Sequence, residues 1–125
     1  MIFQSESGYI FGGYSPCQWS EDDDCYGHDY SLTSFLFSQT HVEIYPMKEN
    51  SEYNAIFTSR INGPVFGNDQ GYGNDLMIES DFKQGHSNLG YGYQWDQCED
   101  TYSNHLFGQN EPNIIECEIY ELKLI

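Results

Sequence analysis

Short runs in which apolar and polar side chains alternate recur along the chain, and turn-forming residues separate them. This two-residue period predicts β-strands that bury one face. The first two runs, residues 1–3 and 9–11, flank residues 5–8 and predict a hairpin in which Gly8 takes the left-handed conformation. Further strands are predicted at residues 32–38, 41–45, 53–57, 75–79, 90–95 and 115–119.

Glycine and proline positions predict where the chain turns. Gly12 and Gly13 stand between large aromatic residues, which predicts a tight corner with a bulge, a positive φ or the close approach of another backbone. Trp19 follows as an aromatic anchor that buries a large apolar surface. Residues 62–64 predict a turn ahead of the glycine-rich loop at residues 67–74.

The faces of several strands are also predicted. Phe35 and Phe37 share one face of an uncharged run, which is typical of a central strand. Tyr53, Ala55 and Phe57 mark one face of another short strand. In residues 90–95, glycine alternates with large aromatic side chains, so one face is predicted to pack tightly against a second layer. The last strand is predicted to direct Ile115, Cys117 and Ile119 inward, and Glu116 and Glu118 outward.

Composition favours sheet over helix. Among 125 residues the chain has eleven Tyr and eight Phe, and it contains few strong helix formers. Many short strands joined by Gly, Asn and Asp turns are typical of a sandwich. We therefore predict one domain, residues 1–125, that is mainly β: an antiparallel two-sheet β-sandwich with little helix.

Acidic side chains dominate the charge of the chain. Asp and Glu number 20 against 4 Lys and Arg, which gives a formal net charge of −16. Such a field repels phosphate backbones and anionic lipid surfaces, so we expect neither nucleic-acid binding nor membrane insertion. The acidic loop at residues 20–29 either is a solvated surface or meets a basic partner, and charge alone does not choose between these two interpretations.

The cellular location is predicted from targeting signals that the sequence does not contain. The first residues have no basic segment followed by a long apolar one, so no signal peptide is predicted. No apolar run approaches the roughly 20 residues needed to cross a bilayer. The four cysteines show no short paired spacing and, without a secretory signal, are expected to be reduced thiols in a cytoplasmic protein.

Metal and cofactor motifs are incomplete. Asp22, Asp24 and Gly27 match the first, third and sixth positions of a calcium-binding loop, but the fifth position is Tyr26 and the closing position, which needs an acid, is Thr33. A non-helical calcium site at residues 22–24 stays an open alternative to a solvated acidic loop. Cys25 and His28 have half of a zinc-ligand spacing, and no second pair completes it. We therefore predict no metal and no cofactor.

No catalytic signature surrounds any candidate nucleophile. Four histidines and many acids are present, but the sequence contains no nucleophile elbow, cysteine-protease motif or phosphate-binding loop. Cys25 and Cys98 stand beside acidic residues, which disfavour the thiolate that a reactive cysteine needs. We therefore predict that the protein is not an enzyme.

An ordered set of motifs resembles the TLDc domain, the module of eukaryotic oxidation-resistance proteins. The motifs are FGGY at residues 11–14 followed by Trp19, SFLFS at 34–38, GPVFG at 63–67, NDLMI at 74–78 and IIECEIY at 114–120. They occur in the family's order and at similar spacing over nearly the whole chain. Family members usually begin with a helical segment and a first strand, so the sequence is expected to start inside the family domain.

The resemblance implies a non-enzymatic protein-interaction domain with a β-sandwich fold. It further implies a role in resistance to oxidative stress and association with the vacuolar proton pump, V-ATPase, through its peripheral subunits. The residues that match family motifs and are expected to hold the fold are Gly12, Gly13, Trp19, Phe35, Phe37, Gly63, Pro64, Phe66, Gly67, Asp75 and Leu76. Charge and loop position nominate Asp22, Asp23, Asp24, Asn68, Asp69 and Tyr72 as partner contacts.

A carbohydrate-binding β-sandwich is the alternative function. Aromatic rings stack on the apolar faces of sugars while amides bind hydroxyl groups. Side chains of both kinds are interleaved at Tyr72, Tyr91, Tyr93, Trp95 and Asn104. The competing interpretation is that these rings pack within the sheet, and their strand-like spacing with glycine favours it.

Overall fold

Two antiparallel five-stranded sheets form the fold. The computed structural model describes residues 1–20, 24–67, 73–95 and 104–123. The first sheet has the order β10-β1-β2-β4-β5, with β1 at Ile2–Ser5, β2 at Ile10–Tyr14, β4 at Phe35–Ser38, β5 at Glu43–Pro46 and β10 at Ile114–Glu118. The second sheet has the order β3-β6-β7-β8-β9, with β3 at Cys25–Gly27, β6 at Ile56–Thr58, β7 at Asn62–Phe66, β8 at Leu76–Glu79 and β9 at Gly85–His86.

Helical structure in the described residues is short. It comprises a 3-10 helix at Glu52–Asn54 and the one-turn helix α1 at Asn104–Phe107. No helix in these ranges is long and apolar enough to cross a bilayer. The prediction of a mainly β, two-sheet antiparallel fold with little helix is therefore confirmed.

The core lies between the two sheets. Phe3, Phe11 and Leu36 from the first sheet belong to the same buried cluster as Ile56, Phe66, Leu76 and Ile78 from the second. Helix α1 adds Leu106 and Phe107, and the Phe107 ring lies 5.2 Å from that of Phe11. Burying such large side chains supplies most of the stabilisation that a domain of this size can obtain.

The first hairpin follows the prediction. Strands β1 and β2 pair with Phe3 opposite Phe11, and Gly8 in the connection has φ of +92°. Strand β4 lies inside its sheet and buries Leu36 and Ser38, while Phe35 and Phe37 are half-buried on the other face. Strand β5 is at the sheet edge.

The predicted corner at Gly12 and Gly13 is wrong, because both residues lie within β2. Their role is close packing. A Cβ atom on Gly13 would lie 2.8 Å from Leu36 Cδ2 and equally close to the Phe66 ring of the facing sheet. A Cβ atom on Gly12 would collide with the Met1 carbonyl oxygen and lie 2.9 Å from the Phe37 ring, so the predicted close approach of another backbone is confirmed at Gly12. The glycines therefore let neighbouring side chains, and at Gly13 the facing sheet, approach the strand closely.

Two further predictions in the second sheet are wrong. Residues 62–64 were expected to turn, but they begin β7, and the pairing of β7 with β8 is irregular between Asn62 and Val65. Pro64 lies in this irregular stretch, where its lack of an N–H group disrupts the hydrogen bonding between the two strands least. Tyr53 lies in the 3-10 helix and is 54% exposed, so it shares no strand face with Phe57.

Residues 90–95 form no strand, which corrects the predicted one. The segment is instead tied to residues 46–48: the Lys48 N–H donates to the Gly92 carbonyl at 2.9 Å and the Gln94 N–H to the Pro46 carbonyl at 2.8 Å. Tyr93 makes an isolated bridge with Met47. The glycines that alternate with aromatic residues here therefore belong to a compact segment and not to the predicted packing face of a strand.

The last strand keeps the predicted phase at residues 116–118 but not at its start, where a register shift places Ile114 opposite Ser5 and packs it against the core. Cys117 lies opposite the core residue Phe3, whereas Glu116 lies opposite Gln4. However, β10 is an edge strand, so Cys117 is exposed and Ile115 and Ile119 are 59% and 65% exposed. The prediction that Ile115, Cys117 and Ile119 are buried is therefore wrong.

Gly13→Ala tests the close packing between the sheets. The added methyl group meets Leu36 and Phe66, and over-packing of a filled core costs about 1–3 kcal/mol. We expect the free energy of unfolding in urea to fall by that amount. Gly8→Asn is the comparison, because nothing lies within 4 Å of its Cβ position and Asn tolerates the positive φ. Equal stability of Gly13→Ala and the natural chain would contradict the packing argument.

Candidate interaction surface

Of the six predicted partner contacts, Asp24 lies in the described part of the chain. The other five lie outside the described residues: Asp22, Asp23, Asn68, Asp69 and Tyr72. Asp24 is exposed and immediately precedes β3, the edge strand of the second sheet. Its carboxylate accepts a long hydrogen bond, 3.4 Å, from the Arg60 N–H. The described part of the surface therefore offers an acidic side chain at a sheet edge.

The residues that lead toward the acidic residues 21–24 and toward the glycine-rich loop are in contact with each other. The Trp19 ring packs edge-on against Phe66, with 5.4 Å between the ring centroids. Trp19 precedes the acidic residues 21–24, and Phe66 precedes residues 68–72. The prediction that Trp19 anchors the chain is consistent with this contact, and it joins two segments that are far apart in sequence.

A buried carboxylate, Asp75, follows residues 68–72 in the chain and binds the backbone of residues 90–93. Asp75 is fully buried and accepts four backbone hydrogen bonds: from Gly90 at 3.0 Å, Tyr91 at 3.1 Å, Gly92 at 2.7 Å and Tyr93 at 3.2 Å. These donors account for why residues 90–93 wrap into a compact turn. Charge-assisted bonds of this kind are roughly twice as strong as neutral ones.

Gly67 is required at this site for two reasons. Its φ of +70° is a conformation that side chains other than Asn and Asp rarely adopt. In addition, a Cβ atom there would lie 2.1 Å from Asp75 Oδ1. Asp75, Gly67 and Leu76 were nominated from motif matches, and the structure brings them together beside the core.

The surroundings of Asp75 also shift its pKa. Burial raises the pKa of Asp75 to about 6, although the four N–H donors act in the opposite direction. The bonds to the carboxylate therefore stabilise an ion that burial penalises. Losing them would leave four amide groups without their acceptor.

Asp29 forms a second carboxylate hub, which the sequence analysis missed. It is buried and accepts bonds from the backbone N–H groups of Ser31, Thr33 and Ser34, and from the hydroxyl groups of Ser31 and Ser34. Burial acts to raise the pKa of Asp29, but the hydrogen bonds outweigh it and hold the pKa below its ordinary value. An Asp followed by Ser and Thr at two to five residues is a recognised turn signal.

A histidine and tyrosine cluster fastens α1 to the edge strand β5, and it too was missed. His41 and His105 stack with 4.2 Å between centroids, and the His41 Nε2–H donates to the His105 carbonyl at 2.9 Å. Tyr45 donates to Glu43 at 2.9 Å, and its oxygen lies 2.6 Å from His105 Nε2. Burial and the neighbouring His41 lower the pKa of His105, while Glu43 raises it.

The side chains nominated for sugar binding do not form one exposed face. Tyr93 is fully buried and donates to the Ala55 carbonyl at 2.7 Å, so its ring is inaccessible to a ligand. Trp95 packs against Tyr45 and His105, and Tyr91 is 40% exposed. Tyr72 lies outside the described residues. The packing interpretation is therefore correct for Tyr93.

Three of the four cysteines lie in the described ranges. Cys17, Cys25 and Cys117 are free, and burial raises the pKa of Cys17, which disfavours a reactive thiolate. Within the four described ranges, no three His, Cys, Asp or Glu side chains come together as metal ligands. Asp22, Asp23 and Cys98 are not among those residues.

Asp75→Asn tests the buried carboxylate. The substitution keeps the size of the side chain but puts an amide group against N–H donors, so buried donors lose their acceptor. We expect the free energy of unfolding to fall by about 3 kcal/mol in a urea titration at neutral pH. Asp81→Asn is the matched control, because Asp81 also accepts two backbone N–H groups but is exposed. A loss no larger for Asp75→Asn than for Asp81→Asn would contradict the assigned role.

The His105 cluster predicts a pH dependence of stability. Because the pKa of His105 is below 6.5 in the folded state, the unfolded chain binds the proton more tightly. Stability from this group is present above pH 6.5 and is lost as the pH falls below it. We expect the natural chain to lose stability relative to His105→Gln on acidification from pH 7 to about pH 5. Parallel stability profiles of the two proteins would contradict this.

The comparisons with known proteins address the family directly. The sequence matches the TLDc domain family over residues 1–123. No curated protein and no solved structure gave a significant match. The match spans nearly the whole chain and agrees with the two-sheet fold described above. The chain therefore belongs to the TLDc domain family.

Proposed function

We propose that this chain is a non-enzymatic protein-interaction domain that acts in resistance to oxidative stress and associates with peripheral subunits of the V-ATPase. Membership of the TLDc family over residues 1–123 is the observation that carries the proposal. The association with the pump and the cytoplasmic location come from the family and are part of the proposal.

Charge provides the physical means of docking. A net charge of −16 in 125 residues creates a field that attracts a basic surface over a distance of several ångströms. Asp24 is exposed beside the sheet edge. The contact between Trp19 and Phe66 supports the chain next to the acidic residues 21–24 and next to the glycine-rich loop. Such steering accelerates association and weakens as salt is added.

The chemistry of the described side chains supports binding rather than catalysis. Cys25 is exposed but follows an acidic run, and Cys17 has a raised pKa. In the Tyr45 and His105 cluster, burial raises the pKa of Tyr45, which keeps the hydroxyl protonated. These groups fasten helix α1 to β5 and present no activated nucleophile to a substrate. We therefore propose that the protein works through its surface.

A pull-down from a eukaryotic lysate that contains vacuolar membranes tests the proposal. We expect the chain to recover V-ATPase peripheral subunits at low salt and to lose them at high salt, because the contact is electrostatic. The triple variant Asp22→Asn, Asp23→Asn, Asp24→Asn should recover at least about fivefold less, since three charges leave the contact surface.

The matched control carries three neutralised acids elsewhere, Glu49→Gln, Glu52→Gln and Asp81→Asn, all outside the acidic loop. Recovery with this variant should equal that of the natural chain. If the two triple variants recover equal amounts, the acidic loop is not the contact. If neither the natural chain nor either variant recovers the subunits, the proposed partner is wrong.

A further inference from the structure

Strand β10 leaves one edge of the first sheet open in the described part of the chain. It pairs with β1 on one side and is the terminal strand in the sheet order. The apolar side chains Ile115 and Ile119 are 59% and 65% exposed at this edge. At the start of the strand the Ile114 N–H donates to the Phe82 carbonyl at 2.7 Å, so the open part of the edge lies beyond Ile114. Open backbone groups there, together with exposed apolar side chains, form a template on which another strand can add.

The two sides of β10 differ in chemistry. Glu116 lies opposite Gln4 and Glu118 opposite Ile2, so both acids share the outer face of the sheet. Cys117 lies opposite the core residue Phe3 and therefore faces the interior side. Cross-strand neighbours share a face, so an added strand meets two carboxylates on one face and an apolar surface on the other.

A groove continues this edge beyond the end of the strand. It has a volume of about 550 Å³ and is lined by Met1, Tyr14, Trp19, Phe66, Ile119 and Leu122 among others. Ile119 immediately follows β10, and Leu122 is largely exposed. An extended segment that pairs with β10 can therefore place apolar side chains beside the groove.

Charge decides between the possible occupants. A second copy of this chain pairing through the same edge would bring its own Glu116 and Glu118 toward those of the first copy, and like charges on neighbouring strands are destabilising. The net charge of −16 on each copy opposes self-association further. A segment with basic side chains is instead attracted by Glu116 and Glu118 and by the negative net charge of the chain.

We propose that the β10 edge binds an extended segment of a partner protein in which basic and apolar side chains alternate, by adding it as a further strand of the first sheet. The basic side chains of the added segment pair with Glu116 and Glu118. Its apolar side chains lie on the opposite face, over Ile119 and the groove. Residues 114–122 are far in sequence from the acidic residues 21–24, and this proposal does not depend on the partner proposed above.

Binding of a synthetic peptide tests this inference. The probe is a fluorescent peptide of roughly eight residues in which Lys and Val alternate. Its scrambled form has the same composition without the alternation, and a third peptide has Glu in place of Lys. Fluorescence anisotropy at low salt should show that the alternating Lys peptide binds at least about tenfold more tightly than the scrambled one. Amide shifts on binding should be centred on residues 114–119.

Charge reversal gives the sharpest control. The variant Glu116→Lys, Glu118→Lys should lose about tenfold in affinity for the Lys peptide and bind the Glu peptide instead. The matched variant Glu49→Lys, Glu52→Lys has the same net charge but should keep the preference of the natural chain. Ile115→Ser with Ile119→Ser should weaken binding without changing the charge, and circular dichroism checks that each variant is folded.

The outcomes separate the alternatives. If the scrambled peptide binds as tightly as the alternating one, or if both double Lys variants lose binding equally, only general electrostatic attraction acts and the strand-addition proposal is wrong. A dimer in sedimentation equilibrium that disappears with Ile115→Ser and Ile119→Ser would assign the edge to a second copy and would equally overturn it. Failure of the V-ATPase pull-down leaves this test unaffected.

Discussion

The Asp75 carboxylate is the interaction on which the arrangement of the second sheet and its loops depends. A buried carboxylate has to be compensated, and here four consecutive backbone N–H groups, from Gly90 to Tyr93, provide the compensation. That requirement forces residues 90–93 into a compact turn and leaves room only for glycine at Gly67. The same turn then directs Tyr93 into the core, where it bonds to Ala55.

Rigid support of this kind is what a binding surface on loops requires. Loops carry recognition best when the residues at their ends are fixed by a scaffold. In this protein Trp19 packs on Phe66. Asp75 holds the backbone of residues 90–93 by hydrogen bonds. The cluster around His105 fixes helix α1 to β5, an edge strand of the first sheet.

The sequence was sufficient for the fold class and for most strands, because alternation and turn residues act locally. It misplaced the segments whose conformation depends on distant partners. Residues 90–95 looked like a strand because glycine alternates with aromatic side chains, whereas their donors bond to a carboxylate 15 to 18 residues earlier. The contacts of His105 with His41 and Tyr45 span 60 residues or more and carry no local signal. By contrast, the Asp29 hub is local and could have been found from its Ser and Thr neighbours.

Native-state hydrogen exchange at the amides of Gly90, Tyr91, Gly92 and Tyr93 tests most directly whether the Asp75 carboxylate organises this part of the protein. If it does, the Gly92 and Tyr93 amides exchange only through global unfolding, with the same free energy as amides in the interior strand β4. Exchange of these two amides at the fast rates of an exposed loop would show that the carboxylate does not hold the segment and would contradict the account.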